Sequence, residues 1–116
     1  MKNNVVMEKA VAFAIRIVNL YKVLCSRKEY VLSKQLLRSG TSVGALLKEG
    51  EHAQSRADFL SKMNIALKEA NESLYWIDLL YRTDYITEQE FQSIIKDCEE
   101  LLKLLASIVK TTRQTK

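Results

Sequence analysis

Apolar residues recur every three or four positions along most of the chain, which is the period of an α-helix. The most informative stretch runs from Gln35 to Gly50. Gly40 and Gly44 lie within it, and each glycine costs a helix interior roughly 1 kcal/mol relative to alanine. The apolar spacing nevertheless continues through both, on a face made of Leu32, Leu36, Gly40, Val43, Leu47 and Gly50. Because small residues on a contact face allow close approach, the pattern predicts one continuous, tightly packed helix.

Three capping boxes divide the chain, each a Ser or Thr followed three residues later by an acid. They are Ser26 with Glu29, Ser55 with Asp58, and Thr87 with Glu90, the last flanked by the hydrophobic staple of Ile86 and Phe91. Together with the start of the chain they predict helices over about 4–25, 27–52, 56–83 and 88–111. Because the loops are short, neighbouring helices should be antiparallel. The expected fold is an all-α, up-down-up-down four-helix bundle, with residues 1–116 forming a single domain.

Three of the predicted helices carry more apolar residues than one core-facing stripe requires. The surplus comprises Val11, Ile15 and Val18 on the first helix, Ile65, Trp76 and Leu79 on the third, and Leu102, Leu104 and Val109 on the fourth. Burying this surface between subunits is more favourable than leaving it in water, so the sequence predicts a homo-oligomer.

Composition narrows the class of protein further. The 116 residues include no proline, three glycines and two cysteines, which argues against β-rich folds and disulfide frameworks. We therefore expect two buried, reduced thiols and a cytoplasmic location. No apolar run is long enough for a signal-peptide core or a membrane span, so no membrane association is expected. Residues 1–56 hold ten Lys/Arg and four Asp/Glu (+6), whereas residues 57–116 hold eight and ten (−2), and this basic first half predicts a polyanion-facing surface.

Candidate catalytic and metal-binding groups are few. Glu49 and His52 form an E-x-x-H pair of the kind found in di-iron bundles, but His52 is the single histidine, so the second half-site is missing. Cys25 would need an adjacent base to act as a nucleophile, and His52 lies on another helix. The GTSVG segment lacks the lysine of a phosphate-binding loop. We expect no enzymatic activity, no metal and no cofactor.

Basic side chains are the better functional signal. They cluster on and around the first predicted hairpin, where they are positioned to follow a phosphate backbone. The candidate nucleic-acid contacts are Lys9, Arg16, Arg27, Lys28, Lys34 and Arg38. Tyr21 and Tyr30 lie close enough in the chain to stack on unpaired bases, and packing inside the bundle is the equal alternative for both. Three alternatives stay open. The basic side chains are buried in a subunit interface instead, or Arg38 forms a structural ion pair with Glu49 or with an acid on the third helix. In the third alternative the protein is an interaction adaptor that binds no nucleic acid.

The second and third helices also carry a family resemblance. The run QLLRSGTSVGALLKEG resembles an R-S-x-x-S-[IV]-x-A-N-[IV]-x-E-[GA] pattern, and ADFLSKMNIALKEANESLYWIDLL resembles the segment that follows it. Both patterns are typical of the bacterial S23 family, the 23S ribosomal RNA intervening-sequence proteins. The matching residues are Arg38, Ser39, Ser42, Val43, Ala45, Leu47 (an aliphatic side chain where the pattern has Ile or Val), Glu49 and Gly50, then Asp58, Phe59, Ala66, Lys68, Glu69, Glu72, Ser73, Tyr75 and Trp76. Leu46 stands where the family usually has Asn.

The resemblance covers nearly the whole chain, and it implies an oligomeric state and partners that the apolar spacing does not specify. The family is similar to the accessory protein of diversity-generating retroelements, a basic pentameric barrel that binds nucleic acid and a reverse transcriptase. The resemblance implies a cytoplasmic, non-enzymatic homo-oligomer, with a pentamer favoured. The partners implied are RNA, including ribosomal RNA, or a protein that handles nucleic acid.

Overall fold

The computed structural model describes residues 4–114, which form four helices and no strand. They are α1 (Asn4–Ser26), α2 (Leu32–Gly50), α3 (Arg56–Arg82) and α4 (Glu88–Gln114). The helices run antiparallel along a rod of 48 × 20 × 19 Å. Each packs against the helices before and after it, and α1 closes the bundle against α4 along the least extensive of the four seams. The predicted up-down-up-down four-helix bundle is confirmed.

Helix α2 continues without interruption through both glycines, as the apolar spacing predicts. Gly40 is buried and faces α1, where a Cβ on Gly40 would lie 2.9 Å from Cγ1 of Ile17. A side chain at this position would therefore push the two helices apart. Close packing against Ile17 is the physical reason that the helix keeps a residue of poor helix propensity here.

The predicted start of the second helix was wrong. α2 begins at Leu32, not at residue 27, and Ser26 belongs to the end of α1, where its hydroxyl donates to the carbonyl of Val23. Glu29 provides the N-terminal cap instead, because its carboxylate accepts hydrogen bonds from the backbone N–H groups of residues 31–33. Burial raises the pKa of the Glu29 carboxyl, but these backbone hydrogen bonds outweigh it and hold the pKa below its usual value.

The other two capping boxes are present as predicted. Ser55 Oγ accepts a hydrogen bond from the Asp58 amide at 3.0 Å, at the start of α3. At the start of α4 the bonding is reciprocal: Thr87 Oγ1 accepts from the Glu90 amide, and Glu90 accepts from the Thr87 amide at 2.8 Å. These caps satisfy N–H groups that have no partner inside the helix.

The core includes the predicted face of α2, and it absorbs the surplus predicted for α4. On α4, Val109 is buried and Leu102 and Leu104 are half-buried. This helix therefore contributes more than two residues per heptad to the core. Cys98 is buried in the core as expected, where its Sγ–H donates to the carbonyl of Ala70, and burial raises the pKa of the thiol to about 12. Cys25 was also expected to be buried, but it is only half-buried near the end of α1. The apolar surface left exposed lies mainly on α1.

Candidate nucleic-acid interface

Ion pairs to α4 engage three of the six predicted phosphate-binding cations. The three basic residues, taken in order along the chain, pair with acids taken in reverse order along α4, as expected for antiparallel helices. The pairs are Lys9–Glu100 at 3.2 Å, Arg16–Asp97 at 2.7 Å and Arg27–Glu90 at 2.8 Å. They cross the seam where α1 and α4 have the least packing, and together they form an ionic ladder that links the two helices.

Arg27 makes the most extensive of these contacts. Its guanidinium binds both carboxylate oxygens of Glu90 and also donates to the carbonyl of Tyr85 at 2.8 Å. The hydrogen bond from Arg27, reinforced by the Thr87 amide, lowers the pKa of Glu90 to about 2. A phosphate that bound Arg27 would have to displace a bidentate carboxylate.

Arg38 belongs to a polar cluster between α2 and α3. Its guanidinium binds Glu69 and Glu72, so the structural alternative for this residue is correct, and the partners are acids on α3. The indole N–H of Trp76 donates to Glu72 at 2.8 Å, and this bond, followed by that from Arg38, lowers the pKa of Glu72. Glu49, the other partner considered for Arg38, instead lies 3.1 Å from the Lys62 ammonium.

A buried hydroxyl pair lies in the same α2–α3 seam. Ser39 and Ser73 are both fully buried, and their Oγ atoms are 2.8 Å apart. Ser73 Oγ also donates to the carbonyl of Glu69 at 2.9 Å, so the contact with Ser39 adds a polar link across the seam and favours the register in which the two serines meet. Several residues that carry the family resemblance thus bind one another, and in this chain they hold α2 against α3.

Lys28 and Lys34 are the two predicted cations that remain exposed and free of any ion pair within residues 4–114. Both belong to the segment of residues 27–34, which we call the α1–α2 corner. Lys28 adopts a left-handed backbone conformation with φ of 65°. The acid between them, Glu29, is turned inward and buried, so its charge does not face solvent. The corner therefore presents uncompensated positive charge.

The two candidate stacking tyrosines occupy different environments. Tyr21 is half-buried on α1, where a hydrogen bond with Cys25 raises the pKa of its hydroxyl. Tyr30 lies at the α1–α2 corner and is 55% exposed, and the adjacent Val31 is 70% exposed. Of the two tyrosines, Tyr30 is thus the one whose ring is accessible to a ligand.

An apolar groove of about 490 Å³ runs between α1 and α2 on the outside of the bundle. Val11, Ile15 and Val18 form its α1 wall, and Ile15 is 57% exposed. On the α2 side the groove is lined by Thr41, Gly44, Ala45 and Lys48. The surplus predicted for α1 is therefore at the surface and available for contact.

The two side chains considered for catalysis, Cys25 and His52, lie far apart. Cys25 is near the end of α1 and His52 follows the end of α2, so in the antiparallel hairpin they are separated by about the length of α2, or roughly 28 Å for its 19 residues. Within residues 4–114, no group of three or more His, Cys, Asp or Glu side chains is placed to hold a metal ion. No helix in that range is long and apolar enough to cross a membrane.

The sequence interpretation missed the acids that face the first hairpin. Glu90, Asp97 and Glu100 are spaced by seven and three residues along α4, and these intervals place the three acids on one side of a helix. In an up-down-up-down bundle the last helix lies beside the first, so an acidic side of α4 can face the basic residues of α1. This spacing was the available signal for the ionic ladder.

Comparison with known proteins identifies relatives of the whole bundle. Residues 2–107 match the family described as 23S rRNA-intervening sequence protein. A crystal structure of a protein of unknown function from the S23 ribosomal protein family, from Bacteroides thetaiotaomicron, is 61% identical. The match covers 95% of this chain and 99% of that one, with a TM-score of 0.92. No curated protein sequence matches the chain.

Proposed function

Since the chain belongs to the family of 23S rRNA-intervening sequence proteins, we propose that it is a non-enzymatic, RNA-associated protein that contacts phosphates through the α1–α2 corner. The observation that carries the proposal is that Lys28 and Lys34 are exposed, and free of ion pairs to any of residues 4–114, beside an inward-facing Glu29. Lysines without intramolecular partners can neutralise phosphates and release counterions without first breaking an ion pair. Lys9, Arg16, Arg27 and Arg38 are secondary contacts, because each is already bound to a carboxylate.

We expect binding with little dependence on base sequence. Lysine contacts to phosphate position a protein on RNA but do not distinguish bases. Each lysine contact to single-stranded RNA contributes about 0.7 to the slope of log K against log salt. The double variant Lys28→Ala/Lys34→Ala should therefore lower that slope by about 1.4 units and weaken binding at low salt.

A filter-binding titration at several salt concentrations tests this proposal. The matched control is Lys103→Ala/Lys110→Ala, which removes the same charge from exposed positions in the C-terminal half of α4. That half lies at the opposite end of the bundle, since α4 begins beside Arg27. If both double variants reduce affinity equally, the corner has no special role. If neither reduces it, the adaptor function becomes the better explanation.

We also propose that the protein acts as a homo-oligomer and that the α1 wall of the groove is part of its self-contact surface. The support is the exposed row of Val11, Ile15 and Val18, together with the five-membered ring that the resemblance implies. An assembly would repeat the α1–α2 corner several times, so weak phosphate contacts would act together through high effective concentration.

Light scattering on the purified protein tests the assembly. We expect a mass near five times that of the 13.3 kDa chain. Ile15→Glu should lower that mass, whereas the control Ile65→Glu, at an exposed apolar position on α3, should not. A mass of one chain across micromolar concentrations would reject the proposal.

A further inference from the structure

The α1–α2 corner combines exposed apolar and cationic groups on a short, firmly held segment. Tyr30 and Val31 are 55% and 70% exposed, although apolar side chains beside a core usually turn inward. Lys28 precedes them and Lys34 follows one turn into α2, and both are exposed. The buried side chains of the segment are those of Glu29, which is 6% exposed, and Ser33, which is 1% exposed.

This arrangement follows from how α2 is capped. The Glu29 carboxylate accepts hydrogen bonds from the amides of residues 31–33 at 3.1, 2.9 and 2.6 Å, and Ser33 Oγ donates back to the Glu29 carbonyl at 2.9 Å. With Glu29 turned toward the helix, the side chains of the next two residues remain in solvent. The cap also fixes their backbone, so a ligand binding there would lose little conformational entropy of the loop.

Capping by Glu29 also decides where an anion can bind. The N-terminal amides of α2, which would otherwise attract a phosphate, already bind a carboxylate. A phosphate would therefore bind the ammonium groups of Lys28 and Lys34, and the exposed ring of Tyr30 is available to an uncharged, planar group. An aromatic ring flanked by free lysines is the combination that proteins use to bind single-stranded nucleic acid, with bases on the ring and phosphates on the lysines.

We propose that the α1–α2 corner binds unpaired RNA, with a base stacked on Tyr30 and the neighbouring phosphates on Lys28 and Lys34. The proposal rests on the RNA association proposed above and specifies the class of RNA. Bases in an A-form duplex are stacked on one another and offer no free face, so a duplex would gain the lysine contacts without the stacking. Val31 adds an apolar surface beside the ring.

Fluorescence anisotropy with one labelled strand tests the proposal. The probe is a fluorescein-labelled oligoadenylate of about twelve nucleotides, within the range of single-strand site sizes, used alone or annealed to oligouridylate. We expect the single strand to bind more tightly than the duplex. Tyr30→Ala should weaken single-strand binding by about five- to tenfold, and Tyr30→Phe should stay within about twofold of the parent, since phenylalanine keeps the ring.

Salt dependence separates this proposal from the broader one. Tyr30→Ala removes no charge, so the salt slope should not change, whereas Lys28→Ala/Lys34→Ala should lower it. Equal affinity for strand and duplex, or unchanged binding by Tyr30→Ala, would overturn the stacking proposal while leaving lysine-dependent RNA binding intact. Absence of binding to either probe would overturn both. Tyr30 lies outside the helices and is largely exposed, so circular dichroism should confirm that its variants fold.

Discussion

The two glycines inside α2 should respond in opposite directions to the same substitution. Alanine at either position gains roughly 1 kcal/mol of helix propensity. A Cβ on Gly44 would lie 3.9 Å from the Cβ of Ala10, an ordinary contact. A Cβ on Gly40 would lie 2.9 and 3.0 Å from Cγ1 and Cγ2 of Ile17, which is fully buried. Both carbons are attached directly to the Ile17 Cβ, so the side chain cannot bend away at a flexible end.

The magnitudes follow from those distances. Overpacking a well-filled core costs typically about 1–3 kcal/mol. Gly44→Ala should therefore stabilise the bundle by roughly 1 kcal/mol. Gly40→Ala should destabilise it by about 0–2 kcal/mol, because the clash with Ile17 exceeds the propensity gain. The two variants should differ by about 1–3 kcal/mol in their free energy of unfolding.

Urea denaturation followed by circular dichroism measures this difference. All variants should be compared at one protein concentration, because self-association would couple to the apparent stability. Ile17→Ala removes both clashing carbons, so adding Gly40→Ala to it should no longer be unfavourable, and a double-mutant cycle should show coupling between the two sites. If Gly40→Ala is as stabilising as Gly44→Ala, close packing of α1 on α2 does not explain the glycine.

Three further predictions concern charge and thiol chemistry. The carboxyl of Glu90 has a pKa of about 2 in the folded protein, below its ordinary 4.5, so its stabilising contribution is present above pH 4.5 and is lost as the pH falls toward 2. Glu90→Gln should lose about 1 kcal/mol at pH 7, a modest value because the pair with Arg27 is more than a third exposed, and should flatten the acid limb of a stability–pH curve. Glu29→Ala should cost about 1–2 kcal/mol in thermal or urea unfolding through loss of the α2 cap, and an unchanged midpoint would contradict the role assigned to it. A thiol reagent at pH 8 should label one cysteine per folded chain, Cys25, and should label Cys98 only after unfolding, because burial raises the pKa of the Cys98 thiol to about 12.

The sequence predicted the bundle itself because its information is local and periodic. A helical spacing of apolar residues specifies which side of each helix leaves water, and that spacing extended through Gly40 and Gly44. Ser55 and Thr87 also act through neighbours three residues away, so their capping hydrogen bonds could be anticipated. The exposed row on α1 follows from the same periodicity.

The prediction of the second helix's start was wrong for a reason that is also physical. Ser26 and Glu29 have the spacing of a capping box, but the α-helix that contains Ser26 had not yet ended. Lys28 takes a left-handed backbone conformation after it, and this turns Glu29 toward the start of α2 rather than back to Ser26. The spacing alone does not show whether the Glu29 carboxylate accepts a hydrogen bond from the backbone near Ser26 or from the amides of the helix that follows.

The availability of the cations was decided by tertiary structure. In sequence, Arg16, Arg27, Lys28 and Lys34 are equivalent members of a basic hairpin. Folding brings α4 alongside α1, and its carboxylates neutralise the two arginines but do not reach the two lysines. Local pattern thus determined which residues form helices and which faces they bury. Which charges remain free depends on residues about 60 to 80 positions away, because Coulomb interactions at short range follow distance in space rather than distance along the chain.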